Sequence, residues 1–247
     1  GNVFLGNDVG RHNQNGSNNV FLGTETGKYN FNSHQNVFLG FQAGYSNVGD
    51  VNHIGQNVMV GYAAGYSNSG DQNVLIGYKA GHSNHGRQNT FIGYQAGNHI
   101  NSNTSQVTYV GHWASRVTDV RVRQLFHDSV FGFGAGEHLG EENPEVASVG
   151  GSINHEDAMN NVIMGHMTAH WMKRGKDNVV FGTDAASNLG SNFAHIPLRN
   201  VIAGTDAARY SVRGNDNVIL GTEASLSNQG SNNVMIGRKA GFTNSDQ

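Results

Sequence analysis

The chain has 247 residues, of which 35 are glycine and 33 asparagine, with two prolines, no cysteine, 13% charged residues and a formal charge of −3. Glycine at this frequency disfavours a helical protein, because each interior Gly costs about 1 kcal/mol relative to Ala. The glycines lack a three-residue period, which excludes collagen, and the clustered Val, Ile, Leu and Phe exclude disorder; there is no basic footprint for nucleic acid, no apolar run of the roughly 20 residues that crosses a membrane, and no thiol for a disulfide.

The predicted elements are copies of one unit, Asn-Val-x-Φ-Gly-x-x-Ala-Gly, with Φ an apolar residue. Fourteen copies begin at residues 2, 19, 36, 57, 73, 89, 107, 128, 146, 161, 178, 200, 217 and 233. The fifth position is Gly in every copy, from Gly6 to Gly237. The first is Asn except at Val107, Asp128 and Val146. Each copy opens on a β-branched or aromatic triplet such as Val20-Phe21-Leu22, which suits a strand, and the following Gly can turn the chain. Many copies then read Ser-Asn-x-Gly, as at Ser46, Ser67, Ser83, Ser187 and Ser227, a second turn. A strand and two turns in 16–17 residues make one coil. The chain therefore reads as all-β, a parallel β-solenoid of about 14 coils in a single repeat domain over residues 1–247. It opens inside a copy, at Gly1-Asn2-Val3, and is expected to be a fragment of a longer fibre.

Alternation along each strand sends positions two and four to one face and position three to the other. Both faces are apolar, yet a coil encloses only one. The other forms a continuous apolar stripe, larger than a soluble monomer exposes, so the chain is expected to pack against copies of itself. The Asn and Gly columns read as scaffold, the Asn as a hydrogen-bonded ladder.

Strings such as Asn19-Val20-Phe21-Leu22-Gly23 and Asn73-Val74-Leu75-Ile76-Gly77 resemble the head repeats of trimeric autotransporter adhesins, the YadA-like heads. The segments Gly61-Tyr62-Ala63-Ala64-Gly65, Gly77-Tyr78-Lys79-Ala80-Gly81 and Gly93-Tyr94-Gln95-Ala96-Gly97 resemble repeats of phage tail fibres. The resemblance implies a β-roll assembled as a parallel homotrimer, an extracellular place on a virion tail fibre or a bacterial cell surface, and a role in attachment.

Function is expected where the pattern breaks. The long coils span 36–56, 107–127 and 178–199, with insertions at 51–54, 120–127 and 193–197. Residues 112–176 are irregular and gather the charge and both tryptophans. The candidates for ligand binding here are Trp113, Arg116, Arg121, Arg123, His127, Glu137 and Trp171. A second set, Tyr62, Tyr78 and Tyr94, follows the Gly of successive coils within a column that also holds Phe41, His112 and Phe133. Their rings offer faces on which sugars stack. The expected partner is a cell-surface glycan or outer-membrane receptor. The alternatives are a trimeric polysaccharide depolymerase, with Glu142, Glu145, Glu156 and Asp157 as candidate carboxylates, a purely structural shaft, or an adhesin head. No catalytic motif frames those carboxylates. His166 and His170 flank a turn and lack the helix that would aim them at a metal, and no cofactor or metal is expected.

Overall fold

The computed structural model describes residues 1–47, 55–100, 104–116, 124–139, 156–191, 196–211 and 213–244. Every regular element among them is a short strand, and there is no helix. The chain forms two compact units, Gly1–Trp113 and Ala114–Gln247.

The first unit holds β1 (Val3–Leu5), β2 (Val20–Leu22), β3 (Val37–Leu39), β4 (Val58–Val60), β5 (Val74–Ile76), β6 (Ser83–Asn84), β7 (Thr90–Ile92), β8 (His99–Ile100) and β9 (Thr108–Val110). Seven of them pair in parallel in the order β1-β2-β3-β4-β5-β7-β9, hence six complete turns of solenoid. The register runs copy position for copy position: Val3 pairs with Val20, Phe4 with Phe21 and Leu5 with Leu22. The second unit holds β10 (Gln124–Phe126), β11 (Ser129–Phe131), β12 (Glu156–Met159), β13 (Val162–Met164), β14 (Gly175–Lys176), β15 (Val179–Phe181), β16 (Val201–Ala203), β17 (Val218–Leu220), β18 (Ser227–Asn228), β19 (Val234–Ile236) and β20 (Thr243–Asn244). Six of these pair in the order β11-β13-β15-β16-β17-β19, five complete turns. Smaller sheets, β6-β8, β10-β12-β14 and β18-β20, form on other sides of the coils.

The count of coils corrects the fourteen expected. β11 pairs directly with β13, Ser129 with Val162 and Val130 with Ile163. In the sheet order β13 follows β11 directly, and the strand triplet of the copy beginning at Val146 falls in residues 140–155, which lie outside those described. In sequence that copy departs from the others. It lacks the leading Asn, and Ser148 stands at the third position, which every rung of the sheet uses for its core.

That third position is the enclosed one. Phe21, Phe38, Met59, Leu75, Phe91 and Tyr109 are fully buried in the first unit, as are Val130, Ile163 and Val180 in the second. The rings stack from coil to coil, Phe4 on Phe21 at 4.9 Å and Phe21 on Phe38 at 4.6 Å. A column of buried alanines at position eight, including Ala43, Ala64, Ala80, Ala96, Ala185 and Ala207, completes the interior. Small residues there let a coil this short close around one layer of large side chains.

The Asn column is a buried ladder. Each backbone N–H is given to the side-chain oxygen of the preceding Asn: Asn36 to Asn19, Asn57 to Asn36, Asn73 to Asn57 and Asn89 to Asn73, all at 2.9 Å. The side-chain amides of Asn57, Asn73 and Asn89 also donate to backbone carbonyls, as Asn73 does to Gly86 at 3.0 Å. A second amide column joins Asn13, Asn30, Asn47, Asn68 and Asn84 through bonds of 2.8–2.9 Å. Backbone bonds continue round the corners, for example Gly23 N–H to the Leu5 carbonyl and Glu25 N–H to the Asn7 carbonyl, so the buried main chain stays satisfied.

The fifth-position Gly makes the corner. At Gly61 φ is +132°, and a Cβ would lie 2.5 Å from the carbonyl oxygen of Gly77 in the next coil. Left-handed backbone also occurs where side chains are present: at position seven, as Gln42 (φ 54°) and Lys79 (φ 52°), and just before the Asn column, as Gln56 (φ 55°) and Gln72 (φ 59°).

Candidate functional site

Because position three is enclosed, positions two and four face outward. Val20, Leu22, Val37, Ile92, Met164, Phe181 and Val201 are exposed along the sheets of their units. After the Gly corner, position six adds an exposed ring column. In the first unit Phe41, Tyr62, Tyr78, Tyr94 and His112 follow one another with centroids 4.7–5.3 Å apart and planes within 18° of parallel. In the second unit Phe133 stacks on His166 at 5.3 Å. A parallel in-register solenoid dictates this spacing, since equivalent residues recur once per rung.

That geometry changes what the tyrosines offer. Tyr62, 46% exposed, lies between Phe41 and Tyr78, and Tyr78 between Tyr62 and Tyr94. Neighbouring rings cover their faces, and the edges with their hydroxyls reach solvent. Face-on sugar stacking, the reason these residues are singled out in the sequence, is closed to the middle of the column. A parallel ladder follows at the next corner, Tyr45 on Tyr66 at 4.6 Å and Tyr66 on His82 at 5.0 Å. Burial raises the Tyr45 hydroxyl above its ordinary pKa and lowers that of His82.

In the second unit two of the expected ligand residues do come together. His138 N–H donates to the His170 carbonyl and Trp171 N–H to the Ser187 carbonyl, so consecutive coils align at this corner. The result sets Glu137 and His138 beside His170 and Trp171. His138 stacks on the Trp171 indole at 4.1 Å with planes 7° apart, and His170 meets Trp171 edge-on at 4.8 Å. His170 Nδ1 lies 3.2 Å from the Gly134 carbonyl oxygen, so that nitrogen carries the proton. A Glu137 carboxylate oxygen lies 3.5 Å from the same nitrogen. Trp171 remains 44% exposed beside this half-buried carboxylate. Sequence reasoning singled out Glu137 and Trp171, weighed His170 only with His166 as a metal pair, and did not group His138 or His170 with the ligand residues. Both lie at the coil positions ten and eleven that also carry Tyr45 and Tyr29, which is the signal that would have grouped them.

The other candidates are dispersed. Trp113, in the first unit, is half-buried, and its indole N–H donates to Gln95 Oε1 at 3.0 Å. Arg116 belongs to the second unit and is half-buried. His127 is exposed, with Nδ1 3.2 Å from Asn160 Oδ1. Arg121, Arg123, Glu142, Glu145 and the insertion 51–54 lie outside the described residues, and of Glu156 and Asp157 only the backbone, in β12, is described.

Among the described residues no group of three or more His, Asp or Glu side chains could hold a metal ion. No helix among them is long and apolar enough to cross a membrane. No family model, no curated protein and no solved structure matches this chain.

Proposed function

We propose that the chain is an attachment segment of a homotrimeric fibre, of the phage tail-fibre or surface-adhesin kind, whose copies pack through the outward Val, Leu and Ile columns and whose irregular corners meet a cell-surface glycan. The observation that carries this reading is the exposed apolar stripe. Positions two and four are half-buried or exposed in successive rungs of both units, on strands in strict parallel register. Monomeric proteins rarely leave a contiguous apolar surface of more than a few hundred Å² open to water, and the stripe carries no charged residue to keep a neighbour away.

For the ligand, the Glu137–His138–His170–Trp171 corner fits better than the tyrosine column. It combines a partly open indole with a carboxylate and imidazoles that hydrogen-bond sugar hydroxyls. A glycan array probed with the intact assembly tests this. Binding that is lost in Trp171→Ala while the oligomer persists supports the reading, and equal binding by the variant refutes it. A depolymerase would also release new reducing ends from capsule or lipopolysaccharide.

A further inference from the structure

Asp128 stands at the first position of its coil, where the later coils of its unit carry Asn161, Asn178, Asn200, Asn217 and Asn233. The ladder asks two opposite things of each residue. The side-chain oxygen accepts from the next rung. The side-chain nitrogen donates to a backbone carbonyl: Asn161 to Gly175 at 2.8 Å, Asn178 to Pro197 at 3.1 Å, Asn200 to Gly214 at 2.9 Å and Asn217 to Gly230 at 3.0 Å.

Asp128 meets only the first demand. Its Oδ1 accepts both the backbone N–H of Asn161, at 2.8 Å, and the side-chain amide of Asn161, at 2.9 Å. Its Oδ2 is buried and has no hydrogen-bond partner among the described residues. An ionised carboxylate only accepts, so it leaves an anionic oxygen orphaned at the place where each asparagine has a donor. A buried, unpaired charge is costly enough that such a group tends to neutralise instead. Desolvation pushes the Asp128 carboxyl up to about 7 against the two Asn161 bonds, which act the other way, and no charged side chain among the described residues contributes.

We propose that Asp128 is carried as the neutral carboxylic acid, standing in for asparagine at the head of the second unit's ladder, and that its ionisation is a pH-dependent weak point there. The protonated form supplies an O–H where the other rungs have N–H, and Oδ1 keeps its two bonds.

The sign follows from a folded value raised above the unfolded one. Below about pH 4, the ordinary range of a free carboxyl, the acid is protonated in both states and the full contribution to stability is present. Between there and about 7 the unfolded chain ionises while the folded chain does not. The folding equilibrium then loses about tenfold per pH unit, and the loss is complete above 7. The test compares urea midpoints of the wild-type chain and Asp128→Asn, which keeps the shape, supplies the donor and never ionises. Equal midpoints at pH 4 with the variant progressively ahead up to pH 8 support the proposal. Parallel curves across that range overturn it. The ¹³C shift of the Asp128 carboxyl gives an independent reading: a titration near 7 supports the acid form, and one near 4 contradicts it.

Discussion

At the scale of single residues, the fifth-position glycines separate two costs that usually occur together. Gly61 needs a positive φ and also leaves no room for a Cβ against the Gly77 carbonyl. Gly237 has φ +121° and nothing within 4 Å of where its Cβ would be. Gly237→Ala is therefore expected to cost the backbone strain alone, roughly 1–3 kcal/mol. Gly61→Ala is expected to cost clearly more, because two coils must move apart. Urea denaturation of the two variants checks the order. The asparagines make a comparable case. Asn73→Ala would orphan the buried backbone N–H of Asn89, at about 1–3 kcal/mol, whereas the Gly86 carbonyl keeps the Asn84 side-chain amide as a donor. Both columns were visible in the sequence as fixed letters. The left-handed residues at Gln42, Gln56, Gln72 and Lys79 were not. Nothing in glutamine or lysine prefers that conformation, and it is imposed by the parallel ladder that pairs each such N–H with the coil before it, as Lys79 with Tyr62.

At the scale of the coil, the core follows a volume rule that links positions three and nine. Phe21 faces Gly27, Phe38 faces Gly44, Met59 faces Gly65 and Phe91 faces Gly97, and in each a Cβ on the glycine would collide with the large side chain. Where position three is β-branched, position nine fills out: Ile163 goes with Ala169, Val180 with Ala186 and Ile202 with Ala208, at φ 48–51°. Tyr109 with Ser115 and Val130 with Gly136 depart from the rule. Gly44→Ala alone is expected to destabilise the first unit, and the pair Phe38→Ile with Gly44→Ala to recover part of that loss. A double-mutant cycle should show a coupling of about 0.5–3 kcal/mol, whereas strictly additive effects would contradict the rule. The same scale bears on the copy at Val146, where the sheet passes directly from β11 to β13. The stretch at Val146 keeps the fifth-position glycine, and a pattern weighted on that letter accepts it as a rung. The packing instead requires a large apolar third residue and a ladder amide, and it has neither. The corner at Trp171 was half legible for a related reason. Tryptophan and glutamate stand out by type, whereas His138 and His170 acquire their meaning only from the pairing of two coils 33 residues apart at Asp128 and Asn161.

At the scale of the whole molecule, the solenoid fold leaves an outward face that one chain does not cover. Val74 and Ile76 are half-buried on β5, with Tyr78 just past the corner and 39% exposed. Placing glutamate at Val74 and Ile76 leaves the enclosed column of Phe, Leu and Met untouched, so the coils should still form while the face becomes charged. That variant is expected to retain the β-rich circular dichroism of the parent and to lose self-association. The face itself is readable in the sequence, because apolar residues at all three strand positions cannot be hidden inside one coil. Which side would be enclosed was not, since Val and Leu suit either. The aromatic third column and the buried alanines decide it by volume. The most direct test of the account is the mass in solution by size-exclusion chromatography with light scattering at micromolar concentration. The account predicts an assembly of three 26.5 kDa chains that the Val74→Glu, Ile76→Glu variant reduces to one. A wild-type chain that runs as a folded monomer would contradict it.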